Sequence, residues 1–83
     1  MVYVYVLMSV KKGFRLYIGM SEEVERRLAE HNRGMVQSTK AFRPWRVVVE
    51  EKFFSRKAAR EREKELKQGS SRQRLRLRWE RKP

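Results

Sequence analysis

Residues 2–10, VYVYVLMSV, are apolar at both odd and even positions. A strand with one wet face alternates apolar and polar residues, because successive side chains point to opposite faces. A strand apolar at both parities has to be covered on both faces, which predicts a central position in a sheet. The run is far too short to span a bilayer. Lys11 and Lys12 follow it rather than precede it, so it does not read as a signal peptide. The expectation is a soluble, cytoplasmic protein with no membrane association.

At 83 residues the chain reads as one domain, with a core over about residues 2–68 and a basic C-terminal helix or tail over about 69–83. A chain of this size buries only about 60–65% of its unfolded surface, so its core is modest. It has no cysteine. That excludes disulfides, thiolate zinc sites and cysteine nucleophiles, and it fits a reducing compartment.

The rest of the chain supplies partners for the first strand. KKG (11–13) reads as a hairpin turn with Gly13 at positive φ. FRLYIG (14–19) reads as a second strand, with Arg15 and Tyr17 on one face and Phe14, Leu16 and Ile18 on the other. Ser21 reads as an N-cap, followed by a helix from about Glu22 to Arg33 that stops at Gly34. Val24, Leu28 and Ala29 give that helix a thin apolar stripe. Residues 34–44 read as a loop. WRVVVEEKFF (45–54) reads as a third strand, with Val47 and Val49 on one face and Val48 on the other. Ser55 caps a second helix over 56–68 that ends at Gly69, with Ala58, Ala59 and Leu66 least polar. In the tail, Leu75, Leu77 and Trp79 alternate with arginines, an extended pattern. Yet Ser70 or Ser71 could cap a short, fraying helix, and the helix is the preferred reading. The fold class is therefore α/β (α+β): a small, mainly antiparallel three-stranded sheet flanked by helices.

The net charge is +12. A field of that sign attracts polyanions, nucleic acid foremost; a basic surface kept for solubility and an anionic membrane are the alternatives. All ten acids are glutamate, and His31 is the one histidine. Sites that hold metal with several aspartates or histidines are thereby excluded. Any metal here must run on about one glutamate, with water and substrate completing the shell, an arrangement that Mg²⁺ accepts.

Against this background four features line up. Tyr17 ends the second strand, and Tyr5 lies on its neighbour. Arg27 and His31, four apart, share one face of the first helix. Glu63 lies mid-way along the second helix. In this order they resemble the GIY-YIG nuclease family. Tyr17-Ile18-Gly19 is the literal YIG. Tyr3-Val4-Tyr5 stands where GIY would be and keeps only the final tyrosine. VERRL supplies the helical arginine, Arg27, with Arg26 as the neighbouring alternative, and EHN supplies His31. Ala59 to Glu63 fits the AxxxE pattern of the family's glutamate. The resemblance spans about residues 2–68 and is closest to small stand-alone bacterial members. Active members include excision-repair, homing, restriction and resolvase enzymes, so DNA repair is among the roles implied.

The resemblance implies a divalent-metal-dependent endonuclease, DNA favoured, with Mg²⁺ or Mn²⁺ on Glu63. Arg27 would clamp phosphate through its planar fork, and His31 would contact phosphate or assist proton transfer. One tyrosine would act as base and the other would orient water or phosphate; the sequence accommodates Tyr17 or Tyr5 as the base. A free tyrosine has a pKa of ~10, so that role needs cationic neighbours. Lys11, Lys12, Lys40, Arg43 and Arg46 are candidate nucleic-acid contacts. Each residue also has a plainer role. The tyrosines would be core residues, Arg27 a partner of Glu23, His31 a helix C-terminal cap and Glu63 a partner of Lys67. The alternative function is a catalytically silent basic nucleic-acid-binding module or adaptor. Its basic tail is a candidate protein-binding element, and the oligomeric state is a monomer or weak dimer.

Overall fold

The computed structural model describes residues 1–11 and 15–80. The expected turn residues Lys12 and Gly13, Phe14, and the tail beyond residue 80 lie outside the described residues. The elements run β1 (Val2–Ser9), β2 (Leu16–Ser21), α1 (Val24–Asn32), a single 3-10 turn (Lys40–Phe42), β3 (Trp45–Phe53), α2 (Arg56–Lys67) and α3 (Gly69–Glu80). The sheet has three strands in the order β2-β1-β3, and both pairings are antiparallel. The strand apolar at both parities is thus the central one.

The parity of β1 divides the interior into two layers. Val2, Val4 and Val6 pack with Ile18, Ala59 and Leu66 under α2. Tyr3, Tyr5 and Leu7 pack with Val24, Leu28, Tyr17 and Trp45 under α1. Ala59 is completely buried; a larger side chain there would hold α2 away from the sheet. Arg62 fastens the same helix to β3, with Nε 2.8 Å and Nη2 3.1 Å from the two carboxylate oxygens of Glu51. At the start of α2, Ser55 Oγ accepts the Ala58 N–H at 3.1 Å, the expected cap. Among the described residues no helix is long and apolar enough to cross a membrane.

Several expectations need correction. Ser21 does not cap α1: it ends β2, and its hydroxyl accepts the Glu23 N–H at 3.0 Å, so the turn precedes a helix that begins only at Val24. Val48 does not oppose Val49. The pairing jumps from Val6↔Val49 to Leu7↔Val47, so Val48 is the extra residue of a β-bulge. Val48 and Val49 therefore pack on the α2 layer, and Val47 alone faces α1. Gly69 does not end α2. The extended Gln68 breaks the chain, and Gly69 opens α3, which places Ser70 and Ser71 inside the new helix rather than at its cap. The loop over 34–44 holds a 3-10 turn. Gly34 ends α1 as expected, at φ 79, in the left-handed region that glycine adopts freely.

The last residue of α1 fixes where β3 begins. Asn32 Oδ1 accepts the Trp45 N–H at 2.6 Å, and Asn32 Nδ2 donates to the Trp45 carbonyl at 3.0 Å. Trp45 is buried, so no solvent replaces these bonds. Asn32→Ala is expected to cost about 1–3 kcal/mol, the range for stranding a buried polar group. Urea unfolding would show this as a lower midpoint with an unchanged slope.

Candidate active site

The register of β1 and β2 sets Tyr5 opposite Gly19. A Cβ at residue 19 would lie 2.7 Å from the Tyr5 hydroxyl and 3.0 Å from Cε2 of Tyr17. The glycine of the YIG stretch therefore makes room for two tyrosine rings, whose centroids are 6.3 Å apart. α1 then brings His31 down onto them: its ring centroid is 4.7 Å from that of Tyr17 and 6.3 Å from that of Tyr5.

The two tyrosines differ in access. Tyr5 is 1% exposed, whereas Tyr17 is half-buried and lines a cavity of ≈160 Å³ at the outer edge of β2, together with Lys67 and Arg72. Burial, reinforced by neighbouring Tyr17, pushes the Tyr5 phenol up to about 12, and the Glu63 carboxylate adds to the effect. The hydrogen bond and charge of Arg27 oppose this without cancelling it. Tyr5 is thus a neutral donor at physiological pH.

His31 is fully buried, so in this structure it has no direct access to a substrate phosphate. Its Nδ1 lies 2.8 Å from Thr39 Oγ1, and Thr39 Oγ1 in turn donates to the Val36 carbonyl at 3.4 Å. That pattern makes Nδ1–H the donor to Thr39 and leaves Nε2 to accept from Tyr5 OH, a longer contact of 3.4 Å. Burial first, then the Arg27 charge, hold the imidazole below its ordinary pKa; Glu30 pulls weakly the other way. The sequence reading missed Thr39. The available signal was that a buried histidine needs partners for both nitrogens, and Ser38 and Thr39 are the hydroxyls in the loop that follows.

Arg27 does not pair with Glu23. Its Nη1 bonds Glu30 Oε1 at 2.7 Å, and its guanidinium is close enough to the Tyr5 phenol for each to shift the other's pKa. The Glu30 bond is the main cause of a raised Arg27 pKa and a lowered Glu30 pKa. The alternative arginine, Arg26, is largely exposed and lies 4.0 Å from Glu23 and 3.9 Å from Glu30. Arg27, not Arg26, is therefore the arginine at the tyrosines. Glu63 makes the expected pair with Lys67 at 3.1 Å, with its side chain 21% exposed.

Among the described residues no three histidine or carboxylate side chains come together. This donor set does not fit a closed tetrahedral metal. It fits a hard divalent cation that keeps most of its waters and takes one carboxylate, Glu63.

The loop cations are less uniform. Lys11 Nζ donates to the Ala41 carbonyl at 2.9 Å, and Arg43 Nε to the Lys40 carbonyl at 2.8 Å. Arg43 also lies over Gly34, where a Cβ would meet its Nη1 at 2.6 Å. Lys40 is exposed. Arg46 pairs with Met8 and so lies on the face of the sheet opposite the tyrosines. Lys12 is outside the described residues.

The neutral, buried state of His31 gives a pH signature. The unfolded chain binds a proton at His31 near pH ~6.5, whereas the native state binds it only at lower pH. Between the two values the unfolded state holds more protons, so stability is retained above the unfolded value and falls as the pH drops through it. Denaturation midpoints are expected to decline between about pH 7.5 and pH 5.5. His31→Gln should start lower and decline less; parallel profiles for the two proteins would contradict this account.

Comparison with known proteins agrees with the geometry. The model of the GIY-YIG catalytic domain matches residues 1–76. The chain is 36% identical over 76 residues to the UPF0213 protein SSP2268 of Staphylococcus saprophyticus, covering 90% of each chain. It is 40% identical to the UPF0213 protein SH2523 of Staphylococcus haemolyticus, with the same coverage. It is 41% identical to the UPF0213 protein NP_0776A of Natronomonas pharaonis, covering 90% of this chain and 87% of that one. No solved structure matches the chain. With its three-stranded antiparallel sheet and a domain match over nearly its whole length, the chain belongs to the GIY-YIG family, whose catalytic domain is of nuclease type.

Proposed function

We propose that this protein is a cytoplasmic, divalent-metal-dependent endonuclease that hydrolyses phosphodiester bonds in nucleic acid, with DNA the favoured substrate. The observation that carries the reading is the convergence on Gly19: Tyr5, Tyr17 and His31 in mutual ring contact, with the Arg27 and Glu63 charges near enough to act on the Tyr5 phenol. The +12 net charge supports a polyanionic substrate.

Differences in access support the following division of roles. Tyr17, half-buried at the cavity, is the proton acceptor for the attacking water. Tyr5 stays protonated behind it, holding Arg27 and His31 in place. Arg27 has donors to spare beyond the one on Glu30 and clamps a phosphate oxygen as charge develops there. His31, its ring orientation set by Thr39, packs against Tyr17 and positions it. Glu63 would hold Mg²⁺ or Mn²⁺ once released from Lys67, and a bound ion supplies Lewis-acid stabilisation and a template for water and leaving oxygen. One such site faces one phosphate, so each encounter cuts one strand.

The test is cleavage of labelled single-stranded, double-stranded and branched DNA and of RNA, with Mg²⁺ or Mn²⁺ against chelator. Glu63→Gln and Tyr17→Phe are expected to lose at least ~10²-fold in rate, a scale typical of losing metal or acid–base assistance, while still binding substrate. Absence of cutting by the parent protein on every substrate, with binding equal in all three proteins, would instead support a silent nucleic-acid-binding module or adaptor.

A further inference from the structure

Two cavities meet at the outer edge of β2. The smaller contains Tyr17, Lys67 and Arg72. The larger, ≈560 Å³, is lined by Arg15, Arg72 and Arg76. They share Leu16 and Arg72, so they form one groove that leaves the candidate site beside Tyr17 and runs onto α3. Among the described residues no acidic side chain lines either cavity.

The cations in it come from three separate elements. Arg72 and Arg76 are four apart and share one face of α3. Lys67 ends α2. Arg15 precedes β2, with its guanidinium over the Phe42 ring at 4.8 Å from the centroid. Leu75 docks α3 on the α2-side core, and this orientation turns Arg72 and Arg76 toward the groove. The other two arginines of the helix, Arg74 and Arg78, line a different cavity, on the side of Arg62 and Leu66. α3 therefore divides its charge between two faces, and only one is continuous with Tyr17.

The geometry points to a strand-binding groove: the path through Lys67, Arg72, Arg76 and Arg15 seats the phosphates of a nucleic-acid strand next to the one held at Tyr17. This rests on the nucleic-acid reading of the site and adds to it the direction in which the strand leaves. Among the described residues the lining offers guanidinium and ammonium groups, the Gln73 amide and aliphatic floor residues, and no aromatic ring besides Tyr17 at the mouth. Guanidinium and ammonium groups spaced along a path suit the backbone first, so most of the binding along the groove is expected to be independent of sequence.

The experiment compares two double variants of equal charge change. Arg72→Gln/Arg76→Gln removes cations from the groove; Arg74→Gln/Arg78→Gln removes them from the other face. Binding of a fluorescein-labelled oligothymidylate is followed by anisotropy in chelator across a salt series, so the readout is independent of cutting. Each phosphate of a single strand that the protein no longer neutralises lowers the log–log salt slope by about 0.7. The groove variant is expected to neutralise about one to two fewer phosphates than the parent, and to bind roughly ten-fold more weakly at moderate salt. The other variant should keep the parent slope. Arg72→Lys, which keeps the charge, should restore most of the binding and guards against a folding defect. Equal slopes in the two double variants would reduce the effect to net charge and overturn the groove, as would absence of salt-dependent binding by the parent protein. Absence of metal-dependent cutting by the parent, with the groove signature intact, would overturn the nuclease reading alone.

Discussion

The Tyr5 hydroxyl occupies the space that a side chain at residue 19 would fill. This close approach needs two things from the sequence: a glycine in β2, and a β1 whose odd residues all face α1. The second follows from the apolar run over residues 2–10, because a strand's parity cannot be changed at one residue without changing it at the rest. Once Val2, Val4 and Val6 are committed to the α2 layer, Tyr5 is committed to the α1 layer. Tyr17 joins it from across the hairpin, since Leu16 and Ile18 are held on the other side. The core and the candidate site are thus two faces of one constraint.

Burial then separates two residues of the same type. Tyr5, enclosed and surrounded by Tyr17, His31 and Arg27, keeps its proton; Tyr17 reaches the cavity. A chain of buried polar contacts runs inward from Tyr5 through His31 to Thr39 and the Val36 carbonyl. Such networks stabilise only when each member is satisfied. Here the loop that follows α1 supplies the last member, and Trp45 Nε1 clamps that loop through the Thr39 carbonyl at 2.9 Å. The segment over residues 34–44 looks like a connector, but it sets the tautomer of the one histidine at the site.

Much of this was legible because it rests on local pattern. The apolar parity of β1 identified its central place, and Ser55 capped α2 by the short-range chemistry its hydroxyl favours. What escaped depends on long-range register or competition. The bulge at Val48 leaves no mark in a run of three valines, since each is equally content on either face. Ser21 had a nearer use, bonding Glu23 N–H to close the turn, and so was unavailable as a helix cap. Arg46 looked like any other loop-flanking cation; only the pairing with Met8 reveals that it faces away from the tyrosines. α3 has no regular apolar stripe, and the docking of Leu75 against α2, rather than its own pattern, gives it a packed face. In the candidate site, Tyr5, Tyr17, Arg27 and Glu63 were legible through family order, whereas Thr39 and Asn32 hold their neighbours through contacts that no spacing rule encodes.

The electrostatics around Glu63 bear on how such a site would be charged with metal. Its carboxylate is already paired with Lys67, and Arg72 lines the cavity beside that lysine. A bare divalent cation approaching a carboxylate already neutralised by Lys67 gains little attraction, and among the described residues no group of three carboxylates or histidines forms to add to it. A phosphate backbone changes both terms. It gives Lys67 an alternative anion, which releases the carboxylate, and it brings oxygens that complete the coordination shell of the ion. On the proposed reading, metal and nucleic acid therefore bind with positive coupling, and by linkage each raises the affinity for the other by the same factor. On that reading the substrate supplies oxygen ligands to a chain that carries ten glutamates, no aspartate and a net charge of +12.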